Sequence, residues 1–146
     1  MGFFSSSKAP ASTDSFNEQE AFLAVALASS AADGEIVEDE VRSIFAYLLQ
    51  MKVFRQVKEK QLSEMLKKLV KVLEKEGVSG LVAIAKSSLP PPLRESAFAC
   101  AVDITLADGV LADNEKLLLE ELQKVLEVPD ELGGMIVKVM MVKNRG

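Results

Sequence analysis

Apolar residues along this chain recur at three- and four-residue spacing, and no segment alternates long enough to build a strand. Seven helices are predicted. The first runs from Glu18 to Ser30 through Ala21-Phe22-Leu23-Ala24-Val25-Ala26-Leu27-Ala28, apolar on every side and so a buried helix. The second, from about Glu38 to Met51, carries Val41, Ile44, Phe45, Leu48 and Leu49. A third from Lys58 to Glu76 has the stripe Leu62, Met65, Leu66, Leu69, Val70 and Leu73, with Gly77 as its cap. A short helix from Ser79 to Ser88 stops at Pro90-Pro91-Pro92. Pro92 suits the first turn of the next, which runs to Leu106 and buries Ala97, Phe98, Ala101, Val102 and Thr105. Leu117, Leu118, Leu119, Leu122, Val125 and Leu126 mark a helix from Asp113 to Glu127. The last follows Pro129, with Gly133-Gly134 weakening its start and Met140, Met141 and Val142 assigned to the core. The pattern describes a single-domain, all-α bundle over residues 16–142, with a flexible leader over 1–15 rich in Ser, Ala, Pro and Thr and a short tail over 143–146.

A shift of 75 residues lays one part of the chain on another. Ala32-Asp33-Gly34-Glu35-Ile36-Val37-Glu38-Asp39-Glu40 meets Ala107-Asp108-Gly109-Val110-Leu111-Ala112-Asp113-Asn114-Glu115, and Ala24-Val25-Ala26 meets Ala99-Cys100-Ala101. Each copy reads as helix, Asp-Gly turn, an apolar residue, then an acidic helix start. Two such hairpins are expected to pack as pseudo-symmetric partners, each burying the other's apolar side. That packing would draw Asp33, Glu40, Asp108 and Glu115 together. Asp103, about one turn before Asp108, would add a fifth carboxylate.

Two chemistries suit these acids. One is a divalent cation. Both copies satisfy the second half of a calcium loop, Asp-Gly followed by an apolar residue and a Glu. The first half fails, because its ligand positions fall on Ser29 and Ala31 in one copy and on Ile104 and Leu106 in the other. A hard cation needs six to eight oxygens. Only a site shared between the copies would supply them, with Asp33, Glu40, Asp108, Glu115 and Asp103 as its ligands. The other chemistry is structural. With Val37 and Ala112 as N-caps, Glu40 and Glu115 stand at N3 and reach back to free backbone N–H groups, while Asp33 and Asp108 shape turns.

Composition narrows the functions further. The chain has no His, which removes His-based catalytic and zinc sites. Its one cysteine, Cys100, lies in a helix-core sequence and cannot form an internal disulfide. Metal-assisted hydrolysis by a carboxylate pair is the remote enzymatic reading. No Gly-rich phosphate loop or nucleophile motif supports it, so the expected protein is no enzyme and needs no organic cofactor. A net charge of −5 disfavours nucleic acid. No run is long enough for a transmembrane segment. Charge is unevenly spread: residues 52–75 hold eight Lys and Arg against three Glu, and residues 103–131 hold nine acids against two Lys. The basic stretch reads first as a solvated face and second as a surface for an acidic protein partner or an anionic membrane.

The paired Ala-Asp-Gly…Glu hairpins with a long amphipathic helix between them resemble the TerB family of tellurite-resistance proteins and TerB-like domains, over about residues 16–132. Lys52-Val53-Phe54 and the Phe3-Phe4 start are similar to stretches of that family as well. The resemblance implies a bacterial cytoplasmic helical domain of tellurite resistance and stress response, with a metal-binding role in membrane-linked protein complexes. The acids it carries over are Asp33, Glu40, Asp108 and Glu115. Family hairpins often hold a polar or acidic residue where Val37 and Ala112 stand, so this chain offers fewer ligands than the family pattern.

Overall fold

The computed structural model describes residues 15–30, 38–107 and 109–146, without the side chains of Glu38 and Glu40. Six α-helices lie among them: α1 Glu18–Ser29, α2 Glu38–Leu48, α3 Glu59–Ser87, α4 Pro91–Thr105, α5 Asp113–Val125 and α6 Asp130–Lys143. A single 3-10 turn, Lys52–Phe54, links α2 to α3. No strand occurs among the described residues. The difference between six helices and the seven expected lies at Gly77. There the backbone takes φ 74° and ψ 178°, and α3 kinks between the two segments that the sequence separates. The leader, with Phe3 and Phe4, lies outside the described residues except for Ser15.

The central element is α1. Every residue from Ala21 to Ser29 is buried, as its uniformly apolar sequence requires. Asn17 starts it with a capping box: its side chain accepts from the Glu20 N–H at 2.7 Å, and Glu20 accepts from the Asn17 N–H at 3.0 Å. The helix packs chiefly on α3 and α4 and touches α2 and α5. Phe22 meets Phe54 of the 3-10 turn edge to face, with centroids 6.4 Å apart. Lys68 of α3 pins the approach to α1: its ammonium lies 3.2 Å from Glu20, 3.0 Å from the Ser15 carbonyl and 5.5 Å from the centre of the Phe16 ring. One member of the basic stretch is therefore spent within the fold. Lys67, Lys71 and Lys75 line an open groove with Lys68, Glu64 and Val72.

The repeat fixes the same joints in both halves. α2 starts at Glu38 and α5 at Asp113, 75 residues apart. α5 ends in a Schellman motif, with Glu127 at φ 59° where glycine is usual; the Val128 N–H donates to the Gln123 carbonyl and the Glu127 N–H to that of Lys124. Ion pairs from Lys86 and Arg94 hold the Glu127 carboxylate at 3.1 and 3.3 Å and tie α3 and α4 to this corner.

Four apolar residues assigned to the core or to a buried stripe face outward instead: Leu49 and Leu117 at one edge of their stripes, and Met141 and Val142 on α6. α6 packs on α4 through one side only. Its outer side shows Met135 and Val139 as well. The helix runs without a break through Gly133-Gly134. A Cβ at Gly133 would come within 2.5 Å of the end of the Gln123 side chain, which would have to move aside. The Gln123 amide donates to Asp130 at 2.9 Å across the α5–α6 corner.

Candidate functional site between the two repeats

The two hairpins face one cavity of about 650 Å³. Ser29 and Ser30 reach it from the end of α1, and Asp39, Ser43 and Tyr47 from α2. The second repeat contributes Asp103 and Thr105 from α4, and Ala112, Asn114 and Glu115 from the start of α5. Lys143 and Asn144 close the ring from the end of α6. Three pairs in this lining, Ser29 with Ile104, Ser30 with Thr105 and Asp39 with Asn114, are equivalent under the 75-residue shift.

Asp103 is the best-held acid in the ring. Its side chain is 5% exposed, and three donors converge on it. The Tyr47 hydroxyl donates to Oδ2 at 2.7 Å, the Asn144 amide to Oδ1 at 2.9 Å, and the Lys143 ammonium to Oδ1 at 3.1 Å. Burial pushes this carboxyl up, but the hydrogen bonds from Asn144, Tyr47 and Lys143 and the charge of Lys143 outweigh it. The group is held below the usual aspartate value and stays ionised. Burial, then the hydrogen bond to the Asp103 carboxylate, raises Tyr47, so its phenol remains a donor.

Glu115 lines the cavity and also caps α5. Its Oε1 accepts from the Ala112 N–H at 3.0 Å, which is the N3 role expected where Ala112 cannot cap with its own side chain. Asp33 and Asp108 lie outside the described residues, as does the side chain of Glu40. Of the five candidate acids, Asp103 and Glu115 therefore share the cavity wall. Among the described residues no group of three or more His, Cys, Asp or Glu stands ready to hold a metal ion. Apart from the Lys143 ammonium and the Asn144 amide, which donate to Asp103, the polar side chains of the wall offer oxygen. Besides Asp39, Asp103 and Glu115 the wall carries the hydroxyls of Ser29, Ser30, Ser43 and Tyr47 and the amide of Asn114. Oxygen suits a hard cation and not a thiophilic one. Thr105 Oγ1 is buried without a hydrogen-bond partner among the described residues.

Sequence reasoning missed Tyr47, Lys143 and Asn144. Tyr47 is the chain's one tyrosine, placed on a helix of otherwise ordinary pattern. Lys143 and Asn144 fell in the assigned tail, 40 and 41 residues from the carboxylate they meet. Beyond Asp103 and Glu115, the Asp39/Asn114 pair was visible through the repeat.

Cys100 lies one turn of α4 from Asp103 and is buried, as its sequence setting indicates. Its thiol sits 3.3 Å from the Met51 sulfur. Burial pushes it up to about 11; the hydrogen bond with Tyr47 opposes this and the Asp103 charge adds to it. At pH 7.5 the thiolate fraction falls with that shift, so a disulfide reagent should react with the native chain on the order of a hundredfold or more slowly than with the urea-unfolded chain. Comparable rates in the two states would contradict the buried placement.

Among the described residues no helix is long and apolar enough to cross a membrane. The chain matches no curated protein and no solved structure. The family model described as Tellurite resistance protein TerB matches residues 19–132, from α1 to the first turn of α6 and across both repeats. The chain belongs to the TerB family.

Proposed function

We propose that this protein is a non-catalytic stress-response domain of the tellurite-resistance type, and that the cavity between its repeats takes up a hard divalent cation. The reading is supported by one observation above all: equivalent positions of two acidic hairpins line the same cavity, around a carboxylate that is buried and ionised. Asp103, Glu115 and Asp39 supply acidic oxygens from the wall. Asp33, Glu40 and Asp108 complete the proposed set, carried over from the repeat and the family resemblance. A bound cation would offset repulsion among these acids, so its affinity and the stability of the fold are linked.

Titration calorimetry of the whole chain with Ca²⁺, Mg²⁺, Mn²⁺ and Zn²⁺ tests this. Submillimolar binding is expected for Ca²⁺ or Mg²⁺, weakened at least tenfold, about 1.4 kcal/mol, in the Asp33→Asn, Asp108→Asn double variant. No binding tighter than millimolar, or no effect of the double variant, would sink the reading.

A second reading, a scaffolding domain whose acids serve only as caps, draws on the Glu115 hydrogen bond to the Ala112 N–H. Glu115→Gln separates the two. Glutamine can still accept that bond but brings no charge. Scaffolding predicts an altered stability of no more than about 0.5 kcal/mol and no change in cation affinity; cation uptake predicts weaker binding.

A further inference from the structure

The outer side of α6 carries a heptad stripe. Leu132, Met135, Val139 and Val142 stand three and four residues apart, the spacing by which one helix seats along another. Leu132 is half-buried at the rim, whereas Met135, Val139 and Val142 are 52%, 60% and 62% exposed. The residues turned inward are Gly133, Ile136, Val137 and Met140. Nothing among the described residues covers the stripe.

The charges beside it say what fits. Glu131, Lys138 and Arg145 are seven residues apart and share one edge of the stripe. All three are exposed, and none forms an ion pair among the described residues. Arg145 follows the end of the helix but keeps its path, with its N–H donating to the Val142 carbonyl at 3.3 Å. The other edge carries Ile136 and Lys143, and Lys143 is already turned to Asp103.

We propose that α6 pairs with α6 of a second copy, antiparallel about a two-fold axis, to form a weak homodimer. Such an axis lays each edge on its own equivalent with the direction reversed. Glu131 then meets the partner's Arg145, and Arg145 the partner's Glu131, while the two apolar stripes close on each other. Lys138 comes opposite the partner's Lys138 at the rim, where the long stems can diverge into solvent; the two Glu–Arg pairs offset that repulsion. A parallel pair would instead set Lys138 against the partner's Lys143 and Glu131 against the partner's Ile136, with repulsion and no attraction. The family match ends at residue 132, so nearly all of this surface lies beyond it. A contact along one 14-residue helix, about 21 Å, falls short of the roughly 1,200 Å² of a stable interface, so a Kd of about 100 μM is expected.

Sedimentation equilibrium of the full chain from about 10 μM to about 1 mM tests this, with a monomer–dimer equilibrium as the expected result. Val139→Asp should leave a monomer, because it places two carboxylates inside the interface. Glu131→Arg alone and Arg145→Glu alone each turn two attractions into two repulsions and should weaken association about tenfold. The double exchange should restore it to within about twofold of wild type. These side chains are exposed, so each variant should keep its helical circular dichroism. A chain monomeric up to about 1 mM would overturn the proposal, as would a dimer that survives Val139→Asp or a double exchange that fails to restore association.

Discussion

Replacing Phe22 by alanine should lower the unfolding free energy by about 3–5 kcal/mol, the range for deleting a fully buried aromatic side chain. Phe22 is 1% exposed on a helix with no solvent face over the residues around it. Its ring meets Phe54, also 1% exposed, at an interplanar angle of 85°. Removing it leaves a void between α1 and the 3-10 turn, and the surrounding residues cannot close it because α1 is held on several sides at once. In a chain of 146 residues such a loss corresponds to a fall of about 10 °C in Tm. Urea unfolding followed by circular dichroism measures it, with an unchanged m value showing that the denatured state is not the cause. Leu117→Ala is the internal control. Leu117 is 54% exposed, so its loss should fall within about 0.5 kcal/mol. Similar costs at both positions would mean that α1 is not the centre of the core.

The contrast between Phe22 and Leu117 also marks what could be read from the chain before its structure. Helix existence depends on local spacing, so each predicted segment appears, and the 75-residue repeat foretold that α2 and α5 start at equivalent positions. Burial depends on what lies opposite. Leu117, Leu118 and Leu119 are chemically alike, yet only the latter two face the bundle. Periodicity defines a stripe wider than the buried arc, and the neighbouring helix decides its edge. The same limit applies to Met141 and Val142, whose apolar character says nothing of which side α4 covers. Gly133 shows the converse. A glycine pair lowers intrinsic helix propensity, yet α6 runs through it, with the end of the Gln123 side chain packed where a Cβ on Gly133 would stand.

The site was legible to a similar depth. Matched acids at a fixed offset implied two hairpins facing each other, and the cavity lined by both repeats agrees with that arrangement. Glu115 as an N3 cap followed from the inability of Ala112 to cap. Asp103 was singled out for its spacing from Asp108, without any sign of the groups that would meet it. Its partners come from α2 and from the end of α6, 56, 40 and 41 residues away. A contact between elements so distant in the chain leaves no trace in local composition. The cluster at Asp103 accordingly joins three elements that the repeat alone does not connect: α2, α4 and α6.

That junction makes Asp103→Ala the second large effect, a loss of about 2–4 kcal/mol near neutral pH. Hydrogen bonds to a charged group contribute about 1.5–3 kcal/mol each, but the Lys143 ammonium is more than half exposed and its share is discounted for solvent screening. Most of the loss comes from the Tyr47 and Asn144 bonds, which fasten α2 and the end of α6 to α4. The pH dependence distinguishes this from simple cavity formation. The folded-state value of Asp103 is depressed, so its ionic contribution is complete above the unfolded value of about 3.9 and is lost as pH falls from there through the lower folded value. The stability difference between wild type and Asp103→Ala should therefore hold from pH 7 down to about 5 and shrink below about 4. Amide hydrogen exchange near Val142 and Asn144 should accelerate in the variant at neutral pH, while that of Leu23 to Leu27 changes only with global stability. A difference that stayed constant from pH 7 to pH 2, with α6 exchange unaltered, would show that Asp103 acts by filling space and that its charge does not hold the end of α6 in place.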